Sequence, residues 1–198
     1  AAGPALTYTQ IYEKNAPSIV SIESQSQSEY GTGTGIIMTE DGYIITNAHV
    51  VAGADEVRVA LSNNSVLQAS LVGFDADEDL AVLKVDASGL TPAEFGDSAA
   101  LRIGDPVAAI GDPLGYRSTI TDGIISALDR EVEVDGTTMV LIQTSAAINF
   151  GNSGGALINQ YGQVVGVTTI KIVTEDGSAE ALGFAIPTTR VKYVVDRL

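Results

Sequence analysis

Gly35-Ile36-Ile37-Met38-Thr39-Glu40-Asp41-Gly42-Tyr43-Ile44-Ile45-Thr46 reads as two short strands, 35–39 and 43–46, around a tight turn. Asp41-Gly42 between two apolar runs is a strong hairpin signal, because glycine tolerates the positive φ that such turns require. The same rhythm continues in both directions. Residues 18–23, 56–61, 67–74, 80–85, 107–111, 120–128, 139–144, 156–158, 164–171 and 182–186 are short β-branched segments separated by Gly, Asp and Asn. Asp135-Gly136 and Tyr161-Gly162 supply further turns. Helical pattern is confined to the ends. Residues 7–15 predict a short helix stopped by Pro17, and Thr188 or Thr189 is placed to cap a final helix. In that last helix Val191, Val194, Val195 and Leu198 share one face. About a dozen strands without intervening helices argue against parallel α/β folds and predict an all-β fold of barrels or sandwiches. At 198 residues, two small barrels, with short terminal helices, accommodate them more naturally than one. Ser, Gly, Pro and Asp interrupt the rhythm over 86–105, so the division falls between 1–95 and 96–198. No internal repeat can be aligned.

Composition narrows the function. Apolar residues make up 45% and charged residues 18%, too apolar for a disordered chain. The net charge of −15 repels phosphates and anionic lipid, so nucleic acid is not an expected partner. Zero Cys excludes disulfides, thiolate metal sites and a cysteine nucleophile. A single His excludes a multi-histidine metal centre. The longest apolar runs reach about five residues, against roughly 20 for a membrane-spanning helix. No basic-led hydrophobic leader opens the sequence.

Three segments carry candidate chemistry. Gly151-Asn152-Ser153-Gly154-Gly155 places a serine among small residues, on a turn whose amides can converge on one point. It also fits the Gly-x-Ser-x-Gly elbow, but that motif needs a strand–turn–helix context and a histidine after the serine. Here the only histidine, His49, lies about a hundred residues upstream, so the elbow reading fails. A lone histidine is more often structural than catalytic. His49 is nevertheless the one side chain whose ordinary pKa lies near neutrality, which makes it the natural general base for Ser153. The third member must orient the imidazole. Asp75, Asp77, Glu78 and Asp79 cluster before 80–83, and Asp79 abuts the strand that enters the core. Gly31-Thr32-Gly33-Thr34-Gly35 is followed by no helix, so it reads as a Gly-rich strand near the site rather than a phosphate loop.

The order His, Asp, Ser on an all-β background is the trypsin-like one. Thr46-Asn47-Ala48-His49-Val50, Asp79-Leu80-Ala81-Val82-Leu83-Lys84, residues 142–149 followed by 151–155, and Gly183-Phe184-Ala185-Ile186-Pro187 resemble the protease domain of the HtrA/Deg serine endopeptidases. The likeness runs from about Ile11 to Leu198. It implies two antiparallel six-stranded β-barrels with the site in the cleft between them, Ser153 as nucleophile, His49 as general base and acid, and Asp79 as orienter. It implies an oxyanion hole from the amides of Gly151 and Ser153, with Asn152 between them. It also implies a substrate pocket lined by Ala147, Ile148 and Asn149 and by the strand Thr168, Thr169, Ile170 and Lys171. Lys171 itself reads as a solvent-facing residue. With no acid on the pocket floor, the preference before the scissile bond is for small or medium aliphatic residues.

The implied activity is hydrolysis of unfolded or exposed polypeptide through an acyl-enzyme, in protein quality control, with no cofactor or metal. The resemblance further implies an extracytoplasmic (periplasmic or cell-envelope) setting and a homotrimer assembled through the N-terminal segment, with Tyr8 or Tyr12 as anchors. A PDZ module outside this chain is a further family feature. Two residues depart from the pattern, Ser145 in place of the usual Asp, which leaves the local hydrogen bonding of its segment open, and Asp112 in place of Asn; position 150, here Phe, varies in the family. The competing classes are a peptide-binding or chaperone-like module, a protease held in an inactive, switchable conformation around Phe150 and Arg117, and a β-barrel esterase.

Overall fold

The computed structural model describes residues 3–112, 118–134, 136–149, 152–170 and 183–198. Phe150, Gly151, Arg117 and Lys171, each singled out above, lie outside the described residues. Six strands form the first closed barrel: β1 (Ile19–Gln25), β2 (Tyr30–Ile37), β3 (Tyr43–Thr46), β4 (Glu56–Ala60), β5 (Val66–Asp75) and β6 (Leu80–Val85). The second comprises β7 (Pro106–Gly111), β8 (Thr119–Val134), β9 (Thr137–Thr144), β10 (Ala156–Asn159), β11 (Val164–Thr169) and β12 (Gly183–Pro187). Among the described residues these strands pair antiparallel with one another. Around the first barrel the order is β1-β2-β3-β6-β5-β4, and around the second β7-β8-β9-β12-β11-β10. The two halves therefore repeat one topology that no sequence alignment of the halves betrays.

The opening hairpin shows why strands this apolar occur. Ile36 pairs with Ile45 and Ile37 with Ile44. Side chains alternate across a strand, so Ile37 and Ile44 fill the first barrel while Ile36 and Ile45 point out of it. The outward pair is equally buried, because it packs into a shared core with Leu80, Ala108, Ile110, Ile158, Val167 and Ile186. Burying one such aliphatic side chain contributes about 1.5–3 kcal/mol. A polar contact across the groove contributes about 0.5–1.5 kcal/mol net. The shared apolar core, not the hydrogen bonds, therefore sets how the barrels sit. Gly42 turns the hairpin at φ +106°, where a Cβ would lie 2.3 Å from the Val85 carbonyl oxygen.

The connection between barrels touches both: Ala93 N–H donates to Ile37 O, and Gly96 N–H donates to Val164 O. Helix α1 (Tyr8–Asn15) is capped by Thr7, whose hydroxyl accepts from Gln10 N–H while the Gln10 side chain returns to Thr7 N–H. Two helical expectations need correction. Helix α2 (Ala48–Val51) has no sequence signal beyond its position after a strand, since a single turn is too short to show periodicity. Helix α3 (Thr188–Val195) begins after Pro187, and neither threonine caps it. Thr188 instead donates its hydroxyl to Gly96 O and accepts from Ser98 N–H, tying the helix to the inter-barrel connection. Val191 and Val194 are buried and Val195 partly so, while Leu198 lies beyond the helix against Gly73 of β5.

Candidate active site

His49, Asp79 and Ser153 come together between the barrels. His49 sits on α2, the single turn that follows β3, and its side chain is 31% exposed. Asp79 ends the turn before β6, in the left-handed region at φ +54°, a conformation Asp tolerates better than most residues. Its side chain is fully buried. Its carboxylate accepts from three donors: the His49 backbone N–H to Oδ1 at 2.9 Å, His49 Nδ1 to Oδ2 at 2.8 Å and Oδ1 at 3.0 Å, and the Thr169 hydroxyl to Oδ2 at 2.9 Å. A carboxylate only accepts, so Nδ1 carries the proton and Nε2 presents a lone pair on the opposite side of the ring. That lone pair faces Ser153, whose Oγ is 3.4 Å away. The same Oγ donates to Asn47 Oδ1 at 2.7 Å.

The serine is held from both barrels. Its carbonyl accepts from Thr34 N–H at 2.9 Å, and Thr34 belongs to β2. The Gly31–Gly35 run thereby finds its use: a Cβ on Gly33 would meet both Val50 methyls at 2.8 Å and Ser153 O at 3.4 Å. Glycine lets the strand approach the site that closely. Gly154 has φ +88°, and a Cβ there would lie 2.2 Å from Thr34 O.

Asn152 is buried and braces the loop. Its Oδ1 accepts from Asn149 N–H at 2.8 Å, and its Nδ2 donates to Ala147 O at 3.2 Å. Its own N–H donates to Asn149 O at 3.2 Å, so this amide is occupied within the loop. Among the residues expected to line a substrate pocket, Thr168 and Thr169 are buried. The Thr168 hydroxyl donates to Asn152 O at 2.7 Å and the Thr169 hydroxyl to Asp79. Ala147 and Asn149 are exposed, and Ile148 and Ile170 are half-buried. Ser145 accepts from Ile124 N–H through its hydroxyl at 3.0 Å, which is the local bonding its departure had left open. The Asp112 backbone N–H donates to Thr34 Oγ1 at 2.9 Å. Sequence reasoning assigned no role to Asn47 or Thr34, although both stand inside quoted motifs. Their contacts are to residues remote in sequence; the one local signal was the place of Asn47 between a strand and His49, and Thr34 had none beyond the Gly-rich run around it.

Fold and site together define a two-barrel domain of the trypsin-like class. The family model for a trypsin-like peptidase domain matches residues 33–167. A probable periplasmic serine endoprotease, DegP-like, of Halomonas elongata is 47% identical over 176 residues, covering 89% of this chain and 37% of that protein. The serine protease Do-like HtrB of Bacillus subtilis is 50% identical over 219 residues, covering 98% and 47%. Among solved structures, an HtrA-type protease AlgW with tripeptide superposes with a TM-score of 0.88 at 41% identity, covering 96% of this chain and 63% of that one. The serine endoprotease from Yersinia pestis gives 0.84 at 39% identity, covering 98% and 67%. The chain belongs to the trypsin-like peptidase family, in its HtrA-type branch. It spans half or less of the length of the curated relatives it matches.

Proposed function

We propose that the chain is a serine endopeptidase domain that cleaves unfolded or exposed polypeptide through an acyl-enzyme, in protein quality control. One observation carries the reading: Ser153 Oγ lies 3.4 Å from His49 Nε2, and the same ring is bonded through Nδ1 to a fully buried Asp79 carboxylate. Ser153 attacks the scissile carbonyl carbon while His49 Nε2 takes its proton. His49 then returns that proton to the departing amine, and water repeats the sequence to release the acid. Asp79 holds the imidazole in the productive tautomer and balances the imidazolium. The amides of Gly151 and Ser153 receive the oxyanion, with Asn152 shaping the loop between them. A preorganised donor in such a hole is typically worth about 10²–10³ in rate. The 3.4 Å separation is compatible with this role, because such contacts tighten when substrate binds.

The substrate pocket is assigned to Ala147, Ile148, Asn149 and Ile170, which keep accessible surface, and to the buried Thr168 and Thr169. This lining favours small or medium aliphatic residues before the scissile bond. The first unit, 1–95, presents His49 and Asp79, and the second, 96–198, presents Ser153. That division is supported by the gap between β6, ending at Val85, and β7, starting at Pro106. An extracytoplasmic setting is supported by relatives named periplasmic. Among the described residues no helix is long and apolar enough to cross a membrane. A trimer through the N-terminal segment would use Tyr8, which is 40% exposed. Tyr12 is engaged within the chain, against the shared core and Ser118. A PDZ module outside this chain is supported by the greater length of the relatives.

Casein digestion and fluorophosphonate labelling test the proposal. Both are expected with the native chain and absent with Ser153→Ala, a loss of about 10⁶ in turnover. Peptide binding without cleavage by the native chain would make it a binding module. Turnover of a small ester without peptide turnover would make it an esterase.

A further inference from the structure

The mechanism above leaves one contact unused. The Ser153 hydroxyl has a single proton, and two acceptors face it: Asn47 Oδ1 at 2.7 Å and His49 Nε2 at 3.4 Å. The shorter contact takes the proton, since O–H···O hydrogen bonds centre near 2.7–2.8 Å and 3.4 Å lies well outside their usual range. The orientation of the amide is fixed by chemistry. Asn47 Nδ2 donates to the carbonyl oxygen of Asp79 at 3.1 Å. A flipped amide would set its oxygen against that carbonyl, two acceptors face to face. Asn47 is fully buried, so the contact is not diluted by solvent.

We propose that Asn47 is a resting-state acceptor that holds the Ser153 hydroxyl off its base, and that catalysis begins when this hydrogen bond passes to His49 Nε2. The inference rests on Ser153 being the nucleophile. No bond to Asn47 forms or breaks in the reaction. After the exchange, the Oγ–H bond breaks as Oγ bonds to the carbonyl carbon, and the proton goes to Nε2. Asn47 Oδ1 can only accept, so its contact exists before attack and is lost once Oγ has given up its proton. An interaction made only in the ground state slows the chemical step.

Fluorophosphonate labelling of Asn47→Ala is expected about fivefold faster than that of the native chain, the factor for releasing one net hydrogen bond. Asn47→Ser, whose hydroxyl stops one bond short of Ser153, is expected to behave alike, so one folded variant suffices. Labelling at or below the native rate overturns the proposal. A second readout does not depend on reactivity. His49 is the only histidine, so its ring resonances can be titrated by NMR without ambiguity. The midpoint is expected to move on Asn47→Ala when Ser153 is present and to stay put in the Ser153→Ala background, because the hydroxyl carries the effect. An equal movement in both backgrounds, or none in either, assigns Asn47 a purely structural role and overturns the proposal. Failure of the native chain to label at all sinks the nucleophile assignment, while the paired titrations still decide Asn47.

Discussion

Thr169, on the second barrel, donates its hydroxyl to Oδ2 of Asp79, on the first, at 2.9 Å. The buried carboxylate that aligns His49 is thus completed by a strand from the opposite half of the molecule. Thr169→Val keeps the shape and removes the donor, leaving one lone pair of a buried charge unmet. Urea denaturation is expected to show a loss of about 1–3 kcal/mol. The rate of casein cleavage should fall with it, and Thr169→Ser should restore both. A variant as stable and as active as the native chain would show that the other two donors to Asp79 suffice.

Asp79→Asn tests the tautomer argument separately. An asparagine amide can donate to Nδ1, which drives the imidazole proton to Nε2 and removes the base facing Ser153. Turnover is expected to fall about 10⁴-fold. The far-ultraviolet circular dichroism spectrum should stay native, and NMR of the lone histidine should report the changed tautomer.

Gly154→Ala is expected to be more harmful than its size suggests. The residue sits at φ +88°, and the added methyl would lie 2.2 Å from Thr34 O. Strain of this kind costs roughly 1–3 kcal/mol. Thermal melting should report the loss. Labelling of Ser153 should slow too, since Thr34 N–H holds the Ser153 carbonyl.

Glu94 links α1 to the inter-barrel connection. Its carboxyl is held below the usual carboxylate range by hydrogen bonds from Lys14 Nζ, at 2.6 Å, and from the Gln163 side-chain amide, at 3.0 Å. A depressed folded value contributes stability above the unfolded value of about 4.3 and loses it as pH falls through the folded one. The difference in melting temperature between the native chain and Glu94→Gln should therefore favour the native chain at neutral pH. It should shrink on acidification below about pH 4. Both side chains are substantially exposed, so the difference is small and diminishes with added salt.

The strands were legible because each is a short β-branched run closed by turn residues. Tyr43–Thr46 and Leu80–Val85 have the bounds that the sequence predicts. Strand β8 runs past its predicted end to Val134, through register shifts at Ile125/Ala127 and Ala127/Arg130 that no apolar pattern announces. The helix carrying His49 was hidden for a related reason, since one turn leaves no period to read. Thr188 reads as a cap by type and serves as a tether instead, because Gly96 and Ser98 reach it from the connection between barrels. Ser153, His49 and Asp79 were legible as candidates by residue type and order alone.

From the sequence by itself came the all-β class, the count of strands and the short list of groups able to do nucleophilic chemistry, because hydrophobic period, turn residues and side-chain pKa values are local properties. The sequence already set Asp79 apart from Asp75 and Asp77 by its place beside the core strand; tertiary structure alone brought Thr169 of the opposite barrel onto its carboxylate. It alone put the Ser153 hydroxyl between Asn47 and His49. Those outcomes depend on distances between residues 90 or more positions apart, set by how two barrels pack over one shared core.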